Sequence, residues 1–233
     1  MSILNICLVV EGDEEEHFFE NVKKYICCNT IKLIIVNASG EGNIPAYFQT
    51  YESDEIYDYV FCVYDVDNLA NDNNSNFNQT RKKLFRILGT EKAVDAISLC
   101  TNPNILQWNL LACDKLENVA LKSTSKSENT PLVHKYWDKI GHNSIGKKST
   151  SYYSACKWQL QEIDDSFEYG TYRFESILKN GKEIDKDYKN SLPGSNLLDF
   201  LNAIHDGNIK YFDSIRSIMK EKDDVNTRRK KKD

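Results

Sequence analysis

The chain has 233 residues, with 30 basic and 35 acidic side chains and a formal net charge of −5. That length suits one α/β domain of roughly 100–200 residues plus an extension, and the negative balance excludes a generic polycationic coat for nucleic acid. The longest apolar run near the start, residues 6–10, is far too short to span a bilayer, and Met1-Ser2-Ile3-Leu4 lacks the basic flank of a signal peptide. The expectation is a cytoplasmic protein without a membrane segment.

In chain order, residues 4–10 (LNICLVV) predict a buried strand, being short, branched and continuously apolar. Glu11-Gly12-Asp13 breaks it, and Asp13 is positioned to cap a following helix whose Phe18, Val22, Tyr25 and Ile26 share one face. Residues 32–36 (KLIIV) predict a second strand, stopped by residues 37–42, and a short helix follows over 44–51. Residues 59–64 (YVFCVY) predict a third strand, which ends at Asp65-Val66-Asp67-Asn68. The Asn-rich stretch 71–78 reads as a loop, 79–88 as a basic amphipathic helix stopped by Gly89, and 93–99 as a fourth strand. Thr101-Asn102-Pro103-Asn104 opens a helix expected to reach Leu116. The alternation predicts an α/β fold, a mainly parallel sheet with flanking helices.

Beyond 116 the pattern weakens. Helices are expected near 131–140, 150–163, 194–204 and 209–220, as a helical extension over 117–225 packed on a sheet domain of 1–116. The last residues, 226–233, form a basic tail expected to be disordered. The seven cysteines, an odd number without a CxxC spacing, fit a reduced compartment rather than a zinc site or a disulfide framework.

Charge is unevenly spread. Residues 51–72 hold seven acids and no Lys or Arg, and residues 115–150 hold seven Lys against three acids. An acidic pocket beside basic segments suits metal-dependent chemistry on a phosphate substrate, although a solvated surface would read the same way.

Ligands of open parallel sheets bind at the carboxyl ends of the strands. Two predicted strands end there in acid-rich turns, so Glu11, Asp65 and Asp67 are expected to converge, with Glu15 one helical turn past Glu11. Crowded carboxylates repel one another unless a cation neutralises them. Oxygen ligands without nearby His or Cys select magnesium or manganese, ions that polarise phosphate oxygens and activate water. Gly12 is expected to allow a sharp turn and close approach of a substrate.

These motifs resemble those of a known family. Residues 9–19 (VVEGDEEEHFF) resemble the first motif of Toprim domains, particularly the RloB-like and OLD-nuclease branches. Residues 63–68 (VYDVDN) are similar to the Toprim Asp-x-Asp motif, and residues 101–111 (TNPNILQWNLL) to an RloB-like signature. The resemblance covers roughly 4–116. It implies a Toprim fold and magnesium-dependent phosphodiester cleavage, with Glu11 as ligand or general acid/base, Asp65 and Asp67 as metal ligands, and Glu15 assisting a second ion. It further implies a DNA or RNA substrate, tRNA among the candidates, and a role in anti-phage defence beside an ABC- or AAA-type ATPase partner; a homo-oligomer is compatible. The family's Glu in the third motif falls on Leu106, and its terminal His on Ala112. That departure keeps open a catalytically reduced binding subunit.

Further candidates each have a structural alternative. Asn102 caps the next helix or contacts a phosphate; Ser39, Gly40 and Gly42 form a plain turn or cradle a phosphate. Lys147 and Lys148, like Arg81, Lys82 and Lys83, are solvated or touch a nucleic-acid backbone. His17 is a surface residue or binds substrate, and Trp108 reads as core.

Overall fold

The computed structural model describes residues 3–26, 28–66, 75–101, 105–112, 173–191 and 196–230. The expected helices at 131–140 and 150–163 lie outside these residues. Four parallel strands form one sheet in the order β2-β1-β3-β4: β1 (Leu4–Val10), β2 (Ile31–Asn37), β3 (Tyr59–Asp65) and β4 (Ser98–Thr101). The α/β class with a parallel sheet and flanking helices holds. The helices are α1 (Asp13–Val22), α2 (Ile44–Glu52), α3 (Asn76–Leu88), α4 (Glu91–Ile97), α5 (Ile105–Leu111), α6 (Phe174–Ser191), α7 (Leu197–Asp206) and α8 (Ile209–Lys230).

Central strands β1 and β3 are buried on both faces, as their unbroken apolar sequences require. β1 pairs with both β2 and β3, placing Val10 beside Asn37 and Val63. Helix boundaries follow local chemistry. Pro45 sits in the first turn of α2, where its missing N–H costs nothing. Ser75 caps α3 by accepting the Asn78 N–H at 3.2 Å, and Gly89 ends it at φ 79°, a conformation that favours glycine.

Residues 93–99 depart from expectation. They are mostly helix, because Thr90 caps α4 through the Ala93 N–H at 3.2 Å. Ala93, Val94, Ala96 and Ile97 are buried at helical spacing. The strand begins only at Ser98. Helix α3 likewise starts three residues earlier than expected, taking in 76–78 from the supposed loop. Helix α8 runs through Lys230, and residues 231–233 of the basic tail lie outside the described residues.

The chain packs as two compact units. One comprises 1–102 with 185–233, the other 103–184; the sequence-based division falls after 116 instead. In the first unit, Phe200 of α7 packs on Phe61 of β3 with ring centroids 5.1 Å apart, and Phe212 of α8 lies 5.4 Å from Tyr59. The C-terminal helices thus supply much of the core over one part of the sheet. Within the second unit Ile105, Trp108, Leu111, Phe174 and Ile177 are buried, so Trp108 is indeed core. Among the described residues no helix is long and apolar enough to cross a membrane. Among the described residues Cys7, Cys62 and Cys100 are in no disulfide and lie buried in strands. Burial pushes the Cys7 thiol up to about 12, with Asp54 adding to it, so it packs as a small hydrophobe.

Candidate active site at the carboxyl rim of the sheet

The sheet register brings three carboxylates together. The Glu11 N–H continues the ladder to the Val63 carbonyl at 3.0 Å, and the Asp65 N–H donates to Glu11 Oε2 at 3.2 Å. The last residue of β3 therefore grips the side chain leaving β1. Glu15 reaches back from α1, and its Oε2 accepts the Gly12 N–H at 2.9 Å. Glu15 and Asp65 are each only 3% exposed.

This crowding has an electrostatic cost. Burial drives the Glu15 carboxyl well above the usual carboxylate range, and the charges of Asp65, Glu11 and Glu14 drive it further. Glu15 therefore favours either a bound proton or a neighbouring cation.

The register also shows a partner that sequence reasoning missed. Asp65 stands opposite Thr101 on β4. The Thr101 hydroxyl, fully buried, donates to Asp65 Oδ1, and the Val66 N–H donates to the Thr101 carbonyl at 3.1 Å. No spacing rule joins residues 65 and 101; only strand order does.

The third side of the rim is the turn after β2. The Ala38 N–H donates to the Val10 carbonyl at 2.9 Å and the Gly40 N–H to the Glu11 carbonyl at 2.7 Å. Ser39 lies between them at φ 55°, unusual for a non-glycine. Its N–H is held by Asn37 Oδ1 at 2.8 Å. Asn37 Nδ2 donates in turn to Asp13 Oδ1 at 2.8 Å and Glu16 Oε2 at 2.9 Å. Alternate acids of the first turn of α1 thus point different ways: Asp13 and Glu16 toward β2, Glu15 toward the rim.

Two expectations for α1 need correction. Gly12 is its N-cap and Asp13 its first residue, so Asp13 is not the cap. Gly12 is also extended, at φ −158°. A Cβ there would meet Glu15 Oε2 at an ordinary 3.6 Å, so the turn does not need glycine.

Arg81 is corrected too. It is not a free contact for nucleic acid but a buried cation, 2.5 Å from Asp95 and 3.3 Å from Glu91, over the Phe77 ring. Its neighbours Lys82 and Lys83 are exposed, and Lys83 Nζ donates to the Gly42 carbonyl at 3.4 Å. His17 is half-buried on α1. Asp67, Asn102, Lys147 and Lys148 lie outside the described residues.

No family model, curated protein or solved structure matches the chain.

The Toprim resemblance therefore rests on the residues at this rim. Glu11, Glu15 and Asp65 offer only oxygen donors, the chemistry preferred by magnesium and manganese. The repulsion around Glu15 is the kind a cation relieves. In number the donors fall short: among the described residues no group of three or more His, Cys, Asp or Glu side chains is arranged to hold a metal ion. The donor type fits a hard divalent ion, which Glu11 and Asp65 would be the first to hold.

Proposed function

We propose that this chain is a metal-dependent nuclease of the Toprim type, using magnesium or manganese to cleave DNA or RNA phosphodiesters. The observation that carries the reading is the Asp65 N–H to Glu11 Oε2 hydrogen bond. It holds the Glu11 carboxylate against the last residue of the adjacent parallel strand, at the rim where such sheets bind ligands. The resemblance adds the activity, an anti-phage role in the cytoplasm, and an ABC- or AAA-type ATPase partner.

The division of labour proposed here rests on the resemblance and on the hydrogen bonds at the rim. Asp65, with Oδ1 held by Thr101, presents the rest of its carboxylate in a fixed direction. Glu11, steadied by the Asp65 N–H, is the general acid/base or a second ligand. Glu15 is already engaged as a cap, so it tunes the local charge more than it supplies an oxygen. Asp67 would complete the ligand set. Gly12 and Ser39 line the approach for substrate, with Asn102, Lys147 and Lys148 as further contacts. A divalent ion bound here supplies polarisation of a phosphate oxygen and a more acidic water.

A catalytically reduced binding subunit is the second reading. It is favoured by Leu106 at the family's Glu position and by the short donor set among the described residues. The test is cleavage of duplex DNA, bulk RNA and tRNA with magnesium or manganese, with and without a candidate ATPase. Cleavage lost on Glu11→Ala and Asp65→Ala supports the nuclease. Metal binding by calorimetry without cleavage of any substrate supports the binding subunit. Cleavage that survives both substitutions removes the assigned site.

A further inference from the structure

Among the described residues the sheet ends at β2, and the hydrogen bonds at its two ends fix which backbone groups look outward. The Leu4 N–H donates to the Thr30 carbonyl at 2.7 Å, and the Ala38 N–H donates to the Val10 carbonyl at 2.9 Å. Residues 30 and 38 therefore turn their polar groups toward β1, and alternation along the strand gives residues 32, 34 and 36 the same direction. The N–H and C=O groups of Ile31, Leu33, Ile35 and Asn37 point away from the sheet. Among the described residues nothing bonds them.

Such an edge pairs readily with another strand unless charge or proline blunts it. Here the strand sequence IKLIIVN holds no proline and a single charge, Lys32, and Ile34, Ile35 and Val36 are only half-buried. The Asn37 side chain bonds Asp13 and Glu16 of α1. Odd-numbered residues of β2 thus share the face that α1 covers, and Lys32, Ile34 and Val36 share the other.

We propose that β2 pairs with β2 of a second copy of this chain, antiparallel about a two-fold axis at Ile34. Outward residues must meet outward residues for the ladder to form. With Ile34 opposite Ile34, Ile31 meets Asn37 and Leu33 meets Ile35, so every outward group finds a partner. Ile34 then falls in a non-hydrogen-bonded pair, where side chains approach most closely and apolar pairs stabilise the sheet. A slip that sets Lys32 opposite Lys32 brings like charges face to face and is unfavourable.

Charge favours a second copy over a foreign strand. Helix α1 opens with Asp13, Glu14, Glu15 and Glu16, and Lys23 and Lys24 follow its last residue. Asp13 and Glu16 sit at the Asn37 end of β2. Because α1 leads from the end of β1 to the start of β2, its basic end lies toward Ile31. The two-fold axis sets the two α1 helices in opposite directions, acidic end beside basic end, and opposed helix dipoles favour the same arrangement. The interface is independent of the nuclease reading and of the metal. It turns the two acidic rims to opposite edges of one joined sheet.

Sedimentation velocity of the full chain over about 1–300 μM reads the association. The mass should rise from one chain toward two. Ile34→Glu and Ile34→Lys each set like charges across the axis and should each stay at the single-chain mass. An equimolar mixture of the two should restore the two-chain species, which misfolded variants would not do. Under oxidised glutathione, Ile34→Cys should form a covalent dimer beyond the wild-type baseline, because Cα atoms of such a pair lie about 4.5 Å apart, within disulfide reach. Lys32→Cys and Val36→Cys should crosslink to each other in a mixture and not alone. Where a charge at 34 unfolds the chain, these cysteine variants decide. Four outcomes overturn the proposal: a single-chain mass up to about 300 μM, a two-chain species in either charge variant alone, no two-chain species from the mixed and folded charge variants, or Lys32→Cys crosslinking alone as well as Ile34→Cys.

Discussion

Replacing Thr101 by valine removes one hydroxyl and keeps the branching and size of the side chain. Thr101 is fully buried and Asp65 only 3% exposed, so bulk water does not replace the lost donor. A hydrogen bond to an ionised acceptor contributes about 1.5–3 kcal/mol. Uptake of a proton by the Asp65 carboxylate limits the loss to that range. At about 2–4 °C per kcal/mol for a chain of this size, Thr101→Val should melt about 3–12 °C below wild type at pH 7. Thr101→Ser keeps the donor and should recover most of the difference. The effect extends to the proposed metal. Removing the group that orients a ligand costs about 10–100-fold in affinity, so manganese titration should weaken for valine and not for serine. The reasoning fails if valine and wild type melt within about 1 °C, or if serine and valine lose manganese affinity equally.

Glu15 gives a prediction with a defined sign. Its folded carboxyl sits above the unfolded value. This group therefore imposes no penalty below its unfolded pKa of about 4.3, and stability falls as pH rises from there toward the folded value. In EDTA, Glu15→Gln should match wild type near pH 4 and exceed it at pH 7; parallel urea midpoints at the two pH values would refute this. At the other buried charge, Asp95→Ala strands Arg81 beside the more exposed Glu91. It should cost about 3–5 kcal/mol in urea unfolding. Most of that should return in the Asp95→Ala/Arg81→Met double variant; an additive double-mutant cycle would show that the pair is not coupled.

Much of the rim was legible because two strong local patterns coincide there. Each central strand is a continuous apolar run, and each ends abruptly in acids, so Glu11 and Asp65 could be placed at strand ends without knowing the strand order. What stayed hidden depends on that order. The Thr101–Asp65 contact exists only because β4 lies beside β3. The run 93–97 is too short to separate a period of 2 from one of 3.6, and the Thr90 cap decides for helix. Arg81 looked like one of three equivalent surface cations. Its partner Asp95 sits on the next helix, and only the packing of α3 against α4 makes one of the three different. Gly12 misled for the opposite reason: a glycine between acids suggests a special turn, yet its backbone is extended and its N–H serves as donor to Glu15.

The aromatic contacts of Phe200 and Phe212 with β3 have a consequence in time. These residues emerge from the ribosome roughly a hundred residues after β4. At about 5–20 residues per second, the four strands wait on the order of 5–20 s for the helices that cover Tyr59 and Phe61. Until α7 and α8 arrive, that part of the sheet has no lid and the strands carrying Glu11 and Asp65 have only part of their support. Whatever chemistry the rim performs is delayed until those late helices dock. Loosening the seat of Phe200 should therefore lengthen the interval in which a nascent or unfolding chain exposes its sheet to other proteins.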